Sequence, residues 1–179
     1  MARFFPVAAD SVNANDFGYV RPGGRGHQGV DIFASEGSPL VAVDAGEIRF
    51  GSDPLGGNVA NLYADDGRHY YYAHLSAFAG SGPRRVAAGD VIGYVGTTGN
   101  ARGTRAHVHF EVHPCPRGQR CAVDPSPVIN PLPRVDRARQ APGLSLFQIV
   151  ALTAIGGATA YALLNPGPTR RLVRRLTPA

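Results

Sequence analysis

The sequence contains no lysine and no tryptophan, and it has only two cysteines and one methionine among its 179 residues. Without lysine, reactions that use a Schiff base or a lysine nucleophile are excluded. The N-terminal stretch MARFFPVAADS also lacks the apolar run of about 7–15 residues that a secretory signal needs. The chain is therefore expected to carry no cleavable export signal.

Stretches with helical periodicity are missing from residues 26–113, whereas glycine and proline are abundant, at 23 and 15 residues in the whole chain. Short apolar runs alternate there with turn sequences such as DPLGG, DDG and TTGN. This pattern predicts a mainly β fold, an antiparallel β-sheet or sandwich. The predicted strands are Pro39–Val43, Gly46–Phe50, Val59–Tyr63, His69–His74, Val91–Val95 and Val108–His113.

Positive charge is concentrated near the C-terminus. Residues 1–133 hold 11 arginines against 12 acidic residues, whereas residues 134–179 hold seven arginines and only Asp136. A basic face for nucleic acid is absent from the predicted domain, so no specific nucleic-acid partner is expected. The predicted organisation is a lead-in (1–25), a β domain (26–133), a linker (134–142), a transmembrane helix (143–165) and an arginine-rich tail (166–179).

The predicted membrane span rests on Leu144–Leu164, which has no charged residue over 21 positions. A run of about 20 apolar residues is long enough to cross a bilayer as a helix. Gln148 and the Gly156–Gly157 pair reduce its hydrophobicity. The alternative is a helix buried against another protein subunit.

Four of the six histidines lie in three short patterns. His27 and Asp31 form an H-x3-D pattern, His74 lies in YAHL, and His107 and His109 form an HVH pattern. A catalytic zinc ion needs three protein ligands and one open position, and imidazole and carboxylate groups are suitable ligands. On one face of a strand, one histidine of the HVH pair can bind metal while the other accepts a proton beside it. Each pattern alone is common, but their combination indicates a zinc site.

The chain from about Phe17 to Leu132 resembles the LytM-like, or M23, zinc endopeptidases of peptidoglycan. The resemblance is carried by FGYVRPGGRGHQGVDIFASEGSPLVAVDAGEIRF, GGNVANLY, HYYYAHLS, VAAGDVIGYVGTTGN and HVHFEVHP. It implies an antiparallel β domain with an open groove that binds cell-wall peptides. It also implies that His27, Asp31 and His109 bind Zn²⁺ and that His107 is the general base. His74 is implied to be the second active-site histidine, which helps to position the water or stabilises the developing oxyanion.

Other residues near these motifs allow two interpretations. Glu111 either hydrogen bonds to a ligand histidine or is a solvated strand carboxylate, and His113 is expected at the edge of the site at best. His69 is expected to be a surface or strand histidine. Asn58 and Tyr72 are candidate substrate contacts, with packing as the alternative. Cys115 and Cys121 either form a local disulfide in an oxidising compartment or are two free thiols.

The loop before His107 departs from the family pattern. It is two residues longer than the usual turn, lacks the proline, and carries Arg102 and Arg105. These arginines either bind a carboxylate of the stem peptide or lie in solvent.

The expected function is zinc-dependent cleavage of peptide cross-links in bacterial peptidoglycan, and the alternative is a non-catalytic peptidoglycan-binding anchor or assembly protein. The substrate lies outside the cytoplasm, and a positive-inside orientation would require moving some 140 residues across the membrane without a leader. A bacteriophage virion, with the enzyme in an internal membrane or the entry apparatus, avoids this difficulty. The bacterial cell envelope is the rival location, so virion or envelope proteins and a lipid membrane are the expected partners.

Overall fold

A computed structural model describes residues 3–21 and 23–135, and the regular secondary structure of these residues is almost entirely β-strand. A 3-10 turn at Gly99–Ala101 and one short helix, α1 (Ser126–Ile129), accompany them. The strands are β1 (Val12–Asn13), β2 (Val30–Phe33), β3 (Pro39–Val41), β4 (Gly46–Asp53), β5 (Gly57–Ala64), β6 (His69–Leu75), β7 (Ala77–Phe78), β8 (Arg84–Val86), β9 (Val91–Tyr94) and β10 (His107–His113).

The strands form two antiparallel sheets, as the sequence predicts. The larger sheet has the order β1-β2-β10-β6-β5-β4-β8, and the smaller one has the order β3-β9-β7. All six predicted strands are present, with ends that differ by up to three residues. The strand β2 was not predicted, because its sequence VDIF follows a glycine-rich loop and has only four residues.

The hydrophobic core lies between the two sheets. Leu40 and Ile92 of the smaller sheet share one buried cluster with Ile32, Leu62 and Phe110 of the larger sheet. Alternation along β10 sends every second side chain into this core, and its other side chains face the opposite side of the sheet. The larger sheet therefore has one face for the core and one face that is free to carry a site.

Tyr72 belongs to the core, so its prediction as a substrate contact is wrong. Its side chain is fully buried. Its hydroxyl donates a hydrogen bond to the Val41 carbonyl at 3.1 Å and accepts one from the Val43 amide at 3.0 Å. Because Tyr72 pairs with Phe110 on the core face, it cannot reach the face that carries His109.

The segment predicted as a lead-in contributes to the domain. Phe5 and Val7 are buried in the core, and Val7 forms a β-bridge with Leu40. Farther along, β1 pairs with β2 at one edge of the larger sheet. The first strands of the chain thus cover one side of the core.

The C-terminal membrane span predicted at 143–165 lies outside the described residues. Among residues 3–21 and 23–135, no helix has the length and apolar character that a bilayer crossing requires. The described chain ends shortly after α1, where Val135 packs with Ala8 and Val41.

A disulfide joins Cys115 and Cys121 and closes the loop that follows β10. Beyond this loop, Val123 pairs with Val112 through a backbone hydrogen bond of 3.0 Å. The chain therefore returns alongside the end of β10, and the free-thiol alternative does not hold.

Candidate metal centre

The two central strands β2 and β10 bring two of the candidate ligands together. Asp31 lies opposite His109 in the antiparallel register. Their neighbours Val30, Ile32 and Phe110 point into the core, so both polar side chains point to the other face of the sheet. Asp31 thus belongs to a strand that pairs directly with the HVH motif, and not to a free loop.

The third candidate ligand, His27, enters from a short hairpin before β2. Its backbone is paired with Gly18 and Tyr19 through hydrogen bonds of 2.8 and 2.9 Å. Between His27 and Asp31, Gly29 runs against β10 so closely that a Cβ atom there would lie 2.3 Å from the Phe110 carbonyl oxygen. The glycine in H-x3-D is therefore required by the close approach of two backbones.

The donor atoms of His27, Asp31 and His109 converge on one point. His27 Nε2 lies 2.7 Å from His109 Nδ1, and each of these nitrogens lies 3.2 Å from Asp31 Oδ1. Two imidazole nitrogens and a carboxylate oxygen at these distances repel one another unless protons or a shared cation lie between them. Tetrahedral zinc, with bonds of about 2.0–2.1 Å, separates its donors by about 3.3 Å. The donor set fits a zinc ion, and it is the only such cluster found among the described residues.

Each candidate ligand is held by a second contact that fixes its orientation. His27 Nδ1 donates a hydrogen bond to the Asp16 carbonyl at 3.1 Å, so Nε2 is the nitrogen whose lone pair can bind a metal. His109 Nε2 donates a hydrogen bond to Glu111 Oε1 at 3.0 Å, so Nδ1 is the nitrogen that can bind a metal. Arg21 binds Asp31 Oδ2, so that Oδ1 faces the two histidines. Such outer contacts set the tautomer and the basicity of metal ligands.

Sequence reasoning missed Asp16 and Arg21. Asp16 also accepts the Asp31 amide at Oδ1, and Arg21 donates to Asp16 Oδ2 at 2.8 Å. Both residues lie in the predicted lead-in, and only the hairpin that ends at His27 brings them to the site. No spacing rule in the sequence links them to the ligands. Their position in the segment before His27 was the one indication that they could lie near the site.

His107 and His74 lie side by side next to the candidate ligands. Their ring centroids are 4.9 Å apart, and His107 Nε2 is 3.9 Å from Asp31 Oδ1. His107 Nδ1 donates to the Arg105 carbonyl at 2.8 Å, and His74 Nδ1 donates to the Thr98 carbonyl at 2.9 Å. In both rings the bonded nitrogen carries the proton, so each neutral ring keeps a lone pair at Nε2.

His74 reaches the site because the backbone breaks its alternation. Strict alternation along β6 gives His74 the same side as Tyr72, which is the core side. Instead, His74 has a positive φ of 68°, and its amide donates to the Gly56 carbonyl at 2.7 Å. A left-handed conformation is unfavourable for a residue with a side chain and is found most often at functional sites.

The charges in the centre follow from these contacts. Burial opposes ionisation of Asp31, but hydrogen bonds from His109 and His27 hold its pKa far below the usual range. Burial also opposes the charged form of His109, yet its bonds to Asp31 and Glu111 raise its pKa to about 9, so in the metal-free protein Nδ1 also carries a proton, which a bound metal would displace. Burial and the neighbouring His107 lower the pKa of His74 to about 4, so its ring is neutral at neutral pH.

Glu111 and His113 continue the centre along β10, on the side of His109 away from His107. Glu111 is buried, and the hydrogen bonds from His109 and His113 outweigh its burial and lower its pKa to about 2. Glu111 is therefore a buried hydrogen-bond partner of His109, and the alternative of a solvated strand carboxylate is wrong. His113 is fully buried behind Glu111, and does not lie at an exposed edge of the site.

The remaining candidate residues lie around this centre. Asn58 donates its side-chain amide to the Leu75 carbonyl at 3.1 Å and so holds the strand next to His74. Arg105 lies over the ring of Phe33, 5.0 Å from its centroid, whereas Arg102 is exposed in the loop before β10. His69 is half-buried between Tyr63 and His113 and binds the Asn61 side chain at 2.9 Å.

Tyr71 is a further residue of the site face that the sequence did not single out. Its ring meets His109 edge-on at 6.4 Å between centroids, and its hydroxyl donates to Asp53 at 2.9 Å. Its alternation along β6 with Tyr70 and Tyr72, which face the core, was the available signal. Burial, followed by the bond to Asp53, raises the pKa of Tyr71 well above its usual value.

Comparison with known proteins gives consistent relatives. The chain is 36% identical over 114 residues to the glycyl-glycine endopeptidase ALE-1 of Staphylococcus capitis, covering 60% of this chain and 30% of that protein. It is 38% identical over 118 residues to the DD-carboxypeptidase/endopeptidase Mpg of Neisseria meningitidis, covering 65% of this chain and 26% of that protein. The chain therefore spans about a quarter to a third of the length of these curated relatives.

A solved structure shares the fold. The catalytic domain of the antimicrobial peptidase lysostaphin from Staphylococcus simulans superposes with a TM-score of 0.60 and 30% identity, covering 67% of this chain and 92% of that domain. The sequence model of peptidase family M23 matches residues 25–125, more than half of the chain, and this range includes all five residues of the centre. The chain therefore belongs to peptidase family M23.

Proposed function

We propose that this protein is a zinc-dependent endopeptidase that cleaves peptide cross-links of bacterial peptidoglycan. The observation that carries the proposal is the convergence of His27 Nε2, Asp31 Oδ1 and His109 Nδ1 beside two histidines that keep a free lone pair. Three ligands with an open position are typical of a catalytic zinc site, whereas structural zinc sites have four protein ligands. The family and the names of its relatives support the same reaction class.

His27, Asp31 and His109 would hold the zinc ion. When bound, the ion supplies Lewis-acid polarisation of the scissile carbonyl and lowers the pKa of the attacking water. His107 acts as the general base, since its Nε2 faces the centre while its Nδ1–H is held by the Arg105 carbonyl. The same nitrogen then returns the proton to the departing amine.

His74 has a narrower role than the family resemblance alone implies. Its Nδ1–H is directed to the Thr98 carbonyl, so its neutral ring offers only an acceptor at Nε2. An acceptor orients a water molecule by taking a hydrogen bond from it, but it cannot donate to a developing oxyanion. We therefore assign His74 to positioning of the water.

A peptide substrate is supported by the surroundings of the centre. Two exposed apolar residues lie near the centre. Tyr19 is on the hairpin that pairs with His27, and Leu55 precedes Gly56, whose carbonyl accepts the hydrogen bond of the His74 amide. Arg102 and Arg105 are proposed to meet carboxylates of the stem peptide from the loop before β10. Asn58 is proposed to act indirectly, because its hydrogen bond to the Leu75 carbonyl supports the strand that carries His74.

The test of this function uses the full chain loaded with zinc and purified sacculi. The parent should release soluble muropeptides, and His107→Ala should lose about 10²–10⁴-fold in rate, the usual worth of a general base. Arg85→Ala is the control, because Arg85 pairs with Asp65 and not with a residue of the centre. If His107→Ala releases muropeptides as fast as the parent, the base is misassigned. Binding to sacculi without turnover would favour a non-catalytic anchor.

We further propose that the enzyme works from a membrane-anchored position, in a phage virion or in the bacterial cell envelope. The support is the charge-free stretch Leu144–Leu164 followed by an arginine-rich end. Immunodetection in purified virions and in inner-membrane fractions of uninfected cells separates the two locations. If the protein is found only in the soluble fraction of cells, and neither in virions nor in membranes, the anchored position is contradicted.

A further inference from the structure

A line of hydrogen bonds connects the candidate ligand His109 with the disulfide-closed loop after β10. His109 Nε2 bonds to Glu111 Oε1 at 3.0 Å, and Glu111 Oε2 bonds to His113 Nε2 at 2.6 Å. At the far end, the backbone amide of Cys121 bonds to His113 Nδ1 at 3.0 Å. Glu111 and His113 are both buried, so water does not substitute for these partners. We call this line of four residues the relay.

The chemistry of the relay allows one arrangement of protons. A backbone N–H can only donate, so His113 Nδ1 must be an acceptor and the proton of the ring is on Nε2. That proton is directed to Glu111 Oε2, and an ionised carboxylate can only accept. Glu111 Oε1 then needs a donor from His109, which is Nε2–H. Because Nε2 carries this proton, Nδ1 is the nitrogen left for a metal ion, and it is the atom that faces His27 and Asp31.

The end of the relay is fixed by the fold of the loop. Cys115 follows His113 by two residues, and its disulfide to Cys121 holds the returning chain beside β10. The bridge between Val112 and Val123 continues this return on the far side of Cys121. Arg120 of the same loop places its guanidinium 3.7 Å from Glu111 Oε2, which favours the ionised carboxylate. The loop therefore supplies both a fixed donor and a positive charge.

We propose that the Cys115–Cys121 loop, acting through His113 and Glu111, is a positioning device that holds His109 as an Nδ1 metal ligand. The inference rests on the proposed function, because it assumes that zinc binds at His109. None of the relay residues beyond His109 touches the metal position. Their contribution is to select the tautomer and the ring orientation of a ligand, an effect that is worth about 10–100-fold in metal affinity at comparable sites.

The main test measures the zinc dissociation constant of the full chain by competition with a chromophoric chelator. The double variant Cys115→Ser/Cys121→Ser should bind zinc about 10-fold more weakly, at the lower end of outer-contact effects. Arg117→Ala, in the same loop with the disulfide intact, is the matched control and should keep the parent value. An unchanged dissociation constant in the double variant would overturn the role of the loop.

Glu111→Gln gives a sharper test, because an amide has one donor end and one acceptor end. His113 must meet the amide oxygen, so the amide NH₂ faces His109 Nε2 and forces the proton of His109 onto Nδ1. Zinc affinity should fall by about 10–100-fold. In the background of the cysteine double variant the loss should be smaller, since His113 is then free to exchange its tautomer. Equal losses in both backgrounds would contradict the coupling.

A spectroscopic readout separates positioning from mere structural support. Long-range ¹H–¹⁵N correlation spectra should show the His113 proton on Nε2 in the parent, with and without zinc, and a His113 proton on Nδ1 would overturn the inference. His113→Gln, which keeps one donor and one acceptor, should retain more zinc affinity than His113→Phe. If the parent itself binds no zinc, the proposed function fails, while the tautomer of His113 still tests the relay.

Discussion

Gly29→Ala perturbs the close approach between the segment just before β2 and the neighbouring strand β10. A Cβ atom at position 29 would lie 2.3 Å from the Phe110 carbonyl oxygen and 2.9 Å from Cε1 of His109. Ordinary van der Waals contact begins at about 3.4 Å, so β2 and β10 must separate by about 1 Å to admit the methyl group. Neither neighbour can move aside easily, because the Phe110 carbonyl belongs to the sheet backbone and the His109 ring is held between Asp31 and Glu111.

The expected loss of unfolding free energy is about 1–3 kcal/mol, the usual cost of an added carbon in a tightly packed place. Zinc affinity should fall as well, since Asp31 and His109 face each other in the register that the methyl group disturbs. Urea unfolding with chelator present measures the first effect, and chelator competition measures the second.

Gly26→Ala is the matched control for this prediction. It adds the same methyl group one residue before His27, where the nearest atom is the Gly18 carbonyl oxygen at 3.8 Å. It should leave both quantities close to the parent values. If Gly29→Ala and Gly26→Ala unfold at the same urea concentration and bind zinc equally, the close approach of β2 to β10 is wrong.

Three further predictions concern the core, pH and metal removal. Tyr72→Phe should lower the unfolding free energy by about 1–3 kcal/mol in urea titrations, because the buried Val41 carbonyl and Val43 amide lose their partner, and zinc affinity should not change. Burial, with the neighbouring His113 as a lesser cause, lowers the pKa of His69 to about 4 from 6.5. The unfolded chain therefore takes up this proton first, and the metal-free protein should lose stability as pH falls from about 6.5 to about 4. His69→Gln should flatten that slope, and an equal slope in both proteins would refute it. Zinc at about 1,000 times its dissociation constant should add about 4 kcal/mol of stability, so chelation should lower the melting temperature. No change of melting temperature on chelation would mean that the folded chain does not bind the ion.

Much of the fold and of the centre can be predicted from local sequence. The alternation in β10 predicts that His107, His109 and Glu111 share a face opposite Phe110, and the structure has this arrangement. The short apolar runs between glycine-rich turns give six of the ten strands. These features are local, because they depend on strand periodicity and turn chemistry alone.

Other features depend on long-range contacts that the sequence pattern does not contain. His74 reaches the site through a left-handed backbone conformation that breaks the alternation of β6. Arg21 and Asp16 reach the ligands because a hairpin folds over β2. For Tyr72 the sequence allows either a substrate contact or packing, and only the sheet register shows that it faces the core.

The role of His113 shows the same limit on a smaller scale. Its shared parity with His109 was visible, but its burial was not, because the chain that covers it is the disulfide-closed loop. Once that loop returns along β10, the Cys121 amide meets the ring, and an edge histidine becomes an inner member of the relay.

Mass spectrometry of the fragments released from purified sacculi is the most direct test of the central claim. The zinc-loaded full chain should release muropeptides whose peptide cross-links are cut while the glycan strands stay intact. Removal of zinc by a chelator, or His107→Ala, should abolish that release, and added zinc should restore it only in the parent. Release that persists without zinc and with His107→Ala, or cleavage confined to glycan bonds, would contradict a zinc endopeptidase built on these histidines.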